Sequence, residues 1–311
     1  MNEAYLNAVR LLLKVAPYVF ESEAFALKGG TAINLFLQDL PRLSVDLDLV
    51  YRSHADTRKD ALQAIRLELE RMESRLTNIG LVCERAANPQ GDEVKLFVAD
   101  GRIRIKVEIN YVFRGSVRPV TMCSLRPAVE ELFLVELDLP LLAREELYGG
   151  KIVAALDRQH PRDLFDLLGL YREEGLSADI VECFVCYLAG HNRPVHEVLF
   201  AREANIKKAY LDEFSGMTDA PIELSVLLAV RRRLFSELPA ALTRAHRDFL
   251  LSLVAAEPDW DLMGCAHLRE MPALRWKLQN LERLRSANKR KFEEQAEMLR
   301  SQFDSLEVLK S

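Results

Sequence analysis

The chain is predicted to adopt an α+β fold, with a mixed β-sheet flanked by helices over residues 1–140 and a mostly helical half over 141–311. Three observations predict it. Runs with the two-residue period of strands are confined to the first part. Helical patterns punctuate them there and replace them after Pro140. At 311 residues and 49% hydrophobic content, the chain has enough apolar surface for a sizeable core divided between two subdomains.

Residues 4 to 20 have helical spacing, and a short strand follows at Ala24 to Leu27. A turn of small residues, Gly29 and Gly30, opens a helix at Thr31 to Gln38. The next strand alternates, with Leu43, Val45, Leu47, Leu49 and Tyr51 on one face and Ser44, Asp46 and Asp48 on the other. An amphipathic helix is expected from Asp56 to Thr77, and strands at Leu81 to Ala86, Glu93 to Val98 and Ile103 to Tyr111. In the last of these, Ile103, Ile105, Val107, Ile109 and Tyr111 alternate with Arg102, Arg104, Lys106, Glu108 and Asn110. A strand near Leu132 to Glu136 is expected to close the sheet region. Helices are then read at Leu142 to Asp157, Arg162 to Tyr171, Ala178 to Leu188, Ile222 to Phe235 and Pro239 to Ala255. A last one runs from Pro272 to about Leu309, as one long helix or a hairpin.

Asp46 and Asp48 carry the strongest chemical signal. Burial of the apolar face of their strand holds both carboxylates on the other face, roughly 7 Å apart at the backbone. Like charges that close repel unless a cation lies between them, and Mg²⁺ is the usual one. Glycines just upstream, at a helix N-terminus, offer backbone N–H groups to phosphate oxygens. Lys28 beside them either contacts phosphate or ends its strand, and Ser44 either reaches a bound phosphate or makes a structural hydrogen bond. Glu108 is the third acidic candidate. Brought beside the aspartates by strand pairing, it would complete a three-carboxylate cluster for two metals; otherwise it is a strand Glu paired with Lys106 or Arg104.

A second block reads R-E-E-L-Y-G-G-K-I-V-A-A-L-D-R-Q-H-P-R-D-L-F-D-L. Gly149 and Gly150 within a helical pattern each cost about 1 kcal/mol relative to Ala, which points to close approach by backbone or ligand. Lys151 follows as a point charge that suits a triphosphate. Pro161 sits where a helix begins, and Asp163 and Asp166 share its first-turn face. Asp166 is counted among the nucleotide-binding candidates, and both aspartates also have the bland reading of helix-dipole partners and caps.

Composition excludes several classes. No segment approaches the roughly 20 apolar residues of a membrane helix. An early Glu and no basic leader argue against a signal peptide, so the cytoplasm is the expected compartment. Five cysteines form no secreted-type framework, and Cys183 with Cys186, inside V-E-C-F-V-C-Y-L-A, reads as core packing rather than a zinc or redox site. A net charge of −5 argues mildly against nucleic-acid binding. Two basic clusters qualify that, Arg231 to Arg233 and the series Arg275, Lys277, Arg283, Arg285 and Lys289 to Lys291.

Gly29-Gly30-Thr31 followed by Asp46-Leu47-Asp48 resembles the signature of the DNA polymerase β-like nucleotidyltransferase superfamily. More narrowly, the chain resembles the AbiEii/AbiGii toxin family of minimal nucleotidyltransferases from bacterial toxin–antitoxin and abortive-infection systems. Four blocks in order carry this from about residue 20 to 285: L-K-G-G-T-A-I-N-L-F, R-L-S-V-D-L-D-L-V, G-G-K-I-V-A-A-L with H-P-R-D-L-F-D-L, and D-F-L-L-S-L with P-D-W and P-A-L-R-W-K-L-Q-N-L. The resemblance implies a nucleotidyltransferase-like core in the first half. It implies that Gly29, Gly30 and Thr31 hold a nucleoside triphosphate, that Asp46 and Asp48 bind divalent metal, and that Lys151 and Asp163 are needed for activity. Glu108 fits the third acidic position. It also implies transfer of a nucleotide to RNA, as in members that act on the tRNA 3′ end and block translation, and a cognate antitoxin as partner. Transfer to an aminoglycoside-like small molecule or a protein hydroxyl, and non-catalytic nucleotide binding, are the alternative readings.

Overall fold

A computed structural model describes residues 3–87, 94–218 and 220–308, and the chain divides into two compact units. The first comprises Met1–Leu147 with Ser215–Pro221, and the second Tyr148–Phe214 with Ile222–Ser311.

In the first unit, α1 (Glu3–Val19) leads into β1 (Phe25–Lys28), then a helical segment made of α2 (Gly29–Ala32) and a π-helical turn at Ile33–Leu37. β2 (Asp46–Tyr51), α3 (Arg58–Asn78), β3 (Val82–Ala87), β4 (Val94–Asp100) and β5 (Ile103–Asn110) follow. Glu93, expected to begin the fourth strand, lies outside the described residues. β6 (Thr121–Ser124), α4 (Pro127–Phe133) and β7 (Asp138–Leu141) complete the sheet, whose order is β3-β4-β5-β2-β1-β7-β6. β2 runs parallel to β5 and antiparallel to β1. The alternation read from sequence holds where it matters. Leu47, Leu49, Ile105, Val107 and Ile109 are buried, while Asp46, Asp48, Lys106 and Glu108 are only partly covered. The apolar row packs beneath α1, whose Val9, Leu12, Val15 and Ala16 are almost fully enclosed.

The strand expected at Leu132 to Glu136 is not there. Pro127 starts a helix with no N–H to lose, Val129 and Phe133 bury the same face one turn apart, and Leu134 ends it with φ 54. The closing strands are β6 and β7 instead.

The second unit begins within α5 (Arg144–Asp157), whose first four residues belong to the first unit. It contains α6 (Pro161–Glu173), α7 (Ala178–Ala189), α8 (Val195–Leu199), α9 (Lys207–Glu213), α10 (Leu224–Ala241), α11 (Arg244–Val254), α12 (Pro272–Ala287) and α13 (Lys289–Val308). Pro239, read as a helix start, lies inside α10. The terminal segment is a pair: Asn288 leaves helical geometry at φ −151, ψ 79, and α12 and α13 pack together. Leu309 lies outside the described residues.

Gly149 is explained here. A Cβ at this position would lie 2.7 Å from the Phe184 backbone N and 2.8 Å from the Cys183 carbonyl carbon, so α5 meets the backbone of α7. At Gly150 the neighbour is the Tyr187 ring, 3.1 Å from such a Cβ. Cys183 and Cys186 are fully buried in α7, as a core reading requires. A Gly→Ala change inside a helix ordinarily stabilises by roughly 1 kcal/mol. Gly149→Ala is expected to do the opposite, destabilising by about 1–3 kcal/mol because backbone cannot move aside as a side chain can. Urea unfolding measures it, and a variant as stable as the parent would refute this packing account.

Candidate functional site

The predicted residues fall into two groups, one in each compact unit. In the first unit β1 ends at Lys28, and Gly29 turns the chain into the helical segment with φ 77, a conformation that favours glycine. Asp48 is in register with Lys28 on one side and Glu108 on the other, and Asp46 is in register with Lys106. The Asp48 carboxylate lies directly against the glycine turn: a Cβ on Gly29 would come within 2.3 Å of Asp48 Oδ2. Gly30 is backed by Arg42 and Ser44, since its Cβ would lie 2.7 Å from Arg42 Nη2 and 3.0 Å from Ser44 Oγ.

Thr31 is fully buried and ties this turn to β2. Its hydroxyl donates to the Asp46 carbonyl at 2.5 Å and shares a 3.0 Å hydrogen bond with Ser44 Oγ. Asn34, one turn further on, donates to the Gly30 carbonyl at 2.8 Å. Thr31 and Ser44 therefore both serve the shape of the loop.

Arg42 is a site residue that sequence reasoning missed. It is buried, donates to the Leu43 carbonyl, and stands behind Gly30. Its loop is held by a short bridge in which Leu43 N donates to the Met217 carbonyl and Arg42 pairs with Thr218. Met217 and Thr218 belong to Ser215–Pro221, the segment that returns to this unit from a distant part of the chain. An arginine between the leucines of L-P-R-L-S was the available signal.

Glu108 reaches the polar face beside the aspartates and is held there by two lysines, Lys106 at 2.7 Å and Lys95 at 2.8 Å. Lys106 also approaches Asp46 Oδ2 at 3.4 Å. Burial opposes charge on Lys106, yet its hydrogen bond to Glu108 and the charges of Asp46, Glu108 and Asp48 outweigh that and raise its pKa. Burial likewise pushes the Glu108 carboxyl up, and the two lysines more than reverse it, so it titrates below the usual range. Lys106 thus supplies the positive charge that the crowded carboxylates require. Among the described residues no group of three His, Cys, Asp or Glu is placed to hold a metal together. The three-carboxylate cluster expected from Asp46, Asp48 and Glu108 is thus interrupted by an ammonium group. What fits a hard divalent cation is the all-oxygen pair Asp46 and Asp48, with the Asp48 carboxylate set against the glycine turn in the space that Gly29 leaves.

The second group is a compact ionic core. Lys151 is buried and bridges Asp163 Oδ1 at 3.0 Å and Asp166 Oδ2 at 2.9 Å. Arg158 adds a forked contact to Asp163, Nε to Oδ2 at 2.6 Å and Nη2 to Oδ1 at 2.9 Å. Burial raises the Asp163 carboxyl, but the Lys151 charge and the Arg158 hydrogen bond overcome it and hold the group far below the usual carboxylate range. His160 caps α6 through Nδ1, which accepts from Arg162 N, and its Nε2 lies 3.1 Å from Glu213. Asp163 and Asp166 thus share a buried lysine in addition to sitting near a helix N-terminus. Arg158 was missed because it lies in the turn just after α5 rather than on α6, outside the i, i+3 pattern that marked the aspartates.

A family profile described as "Nucleotidyl transferase AbiEii toxin, Type IV TA system" matches residues 10–280. No curated protein matches the sequence. Among solved structures, MenT4, a nucleotidyltransferase toxin from Mycobacterium tuberculosis H37Rv, has the same fold at a TM-score of 0.60. Its identity is 16% over 90% of this chain and 94% of that one.

Proposed function

The chain belongs to the AbiEii family of nucleotidyltransferase toxins of type IV toxin–antitoxin systems, and from that premise we propose that it transfers a nucleoside monophosphate from an NTP to RNA, with the tRNA 3′ end as acceptor. Such transfer blocks aminoacylation and halts translation, and a cognate antitoxin counters it in the cytoplasm. The observation that carries the reading is the Asp48 carboxylate packed against Gly29, where a Cβ would approach to 2.3 Å. It sets a carboxylate of the β2 pair against the glycine turn, which supports reading the two as one site.

When bound, Mg²⁺ would neutralise the triphosphate and polarise its α-phosphate. Asp46 and Asp48 would hold it. Gly29 and Gly30 accept the triphosphate through backbone N–H groups, with Lys28 at the end of β1 as a nearby charge. Thr31 and Ser44 keep the turn at its distance from β2, and Arg42 supports it from behind. The acceptor hydroxyl oxygen forms a bond to the α-phosphorus, the bond to the β-phosphate oxygen breaks, and pyrophosphate leaves while the hydroxyl proton passes to the carboxylates. For Glu108 to join as a metal ligand, Lys106 and Lys95 must release it. Lys151, Asp163 and Asp166 act in this reading by holding the second unit's ionic core in shape. Positioning and charge neutralisation then account for most of the rate.

The test is transfer of label from α-labelled NTPs to total tRNA with Mg²⁺, and its loss on chelation by EDTA. Unlabelled RNA would sink the acceptor assignment. Label that resists nuclease and yields to protease would move it to a protein hydroxyl.

Gly29→Ala offers a sharper check on the geometry. The φ of 77 costs an alanine about 1–2 kcal/mol. Its methyl group also displaces the Asp48 carboxylate. A misplacement near 1 Å at a reacting centre lowers rate about 10²-fold, the loss expected in kcat. Unchanged kcat would show that Asp48 does not work from this position.

A further inference from the structure

The two basic clusters separate once folded. Arg231 is buried, bound to the Ala204 carbonyl, Gln159 and Glu203, and Arg233 pairs with Glu237 while lying 4.1 Å over Tyr171. That cluster is part of the second unit's own packing.

The turn between α12 and α13 is different. Residues 275 to 291 carry seven basic side chains and one acidic one in a chain of net charge −5. Lys277 points inward, donating to the carbonyls of His191 at 2.8 Å and Arg193 at 2.6 Å. Lys289 and Arg290 are offset by Glu293 and Glu294 one turn on. Arg275 and Lys291 are exposed and, among the described residues, make no ion pair. Arg283 is exposed as well, and its guanidinium lies 5.6 Å from the Trp276 ring centre. Trp276 itself is 44% exposed, against a monomer's usual habit of covering so large an apolar ring. Positions 275, 276, 279 and 283 recur at helical spacing and so share one face of α12. An open concavity of about 620 Å³ lies along it, lined by Gln279, Glu282, Arg283, Ser286 and Ala287.

We infer that this face is an RNA-docking surface, in which Trp276 stacks an unpaired base while Arg275, Arg283 and Lys291 contact phosphates. An exposed aromatic among uncompensated cations is the combination that single-stranded nucleic acid uses, stacking on the ring and backbone on the charges. The inference rests on the RNA acceptor proposed above and adds where that RNA is held.

The experiment uses the full chain and deacylated total tRNA without NTP, so that binding is read apart from chemistry. Tryptophan fluorescence reports it, with only Trp260, packed 5.9 Å from Phe249, as the other source. The double variant Arg275→Glu with Arg283→Glu is expected to bind about 10-fold more weakly or worse, with a salt slope reduced by about two. Trp276→Ala should weaken binding about 10-fold, and Trp276→Phe should retain it, followed by a labelled tRNA because the fluorophore is lost. All the changes are at exposed positions, and circular dichroism confirms folding. Absence of tRNA binding, or variants that bind as the parent does, overturns the inference. So does a change in sedimentation with Trp276→Ala, which would mark the face as a contact between copies. Wild-type protein that binds tRNA through these residues but labels none sinks the acceptor reading and leaves this surface standing. Labelling with unchanged KM for tRNA in the variants does the reverse.

Discussion

Asp48→Asn is expected to reduce nucleotide transfer about 10³-fold, the upper end of what one lost electrostatic contact at a reacting phosphate costs. The substitution keeps the shape and removes the charge. Its position makes the effect specific. Asp48 lies on the polar face of β2 between Lys28 and Glu108, and its carboxylate occupies the space that Gly29 leaves. Glu108, in register with Asp48, does not stand in for it, because its carboxylate is already bound to Lys106 and Lys95. Folding should be little affected, since Asp48 is only partly covered and an amide retains hydrogen-bonding capacity. Steady-state kcat/KM for NTP, with a thermal melt beside it, measures both. A variant within tenfold of the parent would remove Asp48 from the chemistry.

Asp163→Asn is expected to act through stability, lowering it by about 3 kcal/mol, because buried hydrogen bonds to a charged group, worth about 1.5–3 kcal/mol each, are weakened. The Asp163 side chain is 1% exposed and answers both Lys151 and Arg158. With an amide in its place, buried Lys151 keeps only the Asp166 carboxylate, and Arg158 loses the carboxylate it forks onto. The same core sets an acid limit. Asp163 titrates well below its value in an unfolded chain, so its contribution is fully present above the unfolded pKa of about 3.9 and fades as pH falls toward the folded one. The parent protein should therefore lose stability below about pH 4, and Asp163→Asn should show a flatter curve there. Urea unfolding at pH 7 and at pH 3.5 checks both statements. A variant as stable as the parent, yet inactive, would give Asp163 a direct part in the reaction.

Much of the first unit was readable in advance because strand alternation is a local property. Asp46 and Asp48 share a face in any strand they occupy, and a glycine turn before them is visible as letters. The closing strands were not readable. V-E-E-L-F carries apolar residues at spacings that suit helix and strand, and Pro127, setting the helix start, decided between them. The ionic pairing around Glu108 was foreseen only as one alternative. Which lysines hold it depends on Asp48 facing Glu108 in a parallel pair and on Lys95 facing Glu108 from the other side. Those registers join segments some sixty and thirteen positions apart in the chain.

By itself, then, the amino-acid sequence determined most elements other than the closing strands, the two acidic positions on one strand face and the family, all of which depend on neighbours within a few residues or on ordered blocks. Only tertiary structure decided what each charge meets. It put Arg42 behind Gly30, buried Lys151 between two aspartates, hid Arg231 and left Trp276 with its arginines facing water. Burial and pairing belong to segments far apart in the chain, and the same lysine is a phosphate ligand or a core counter-ion according to what folds against it.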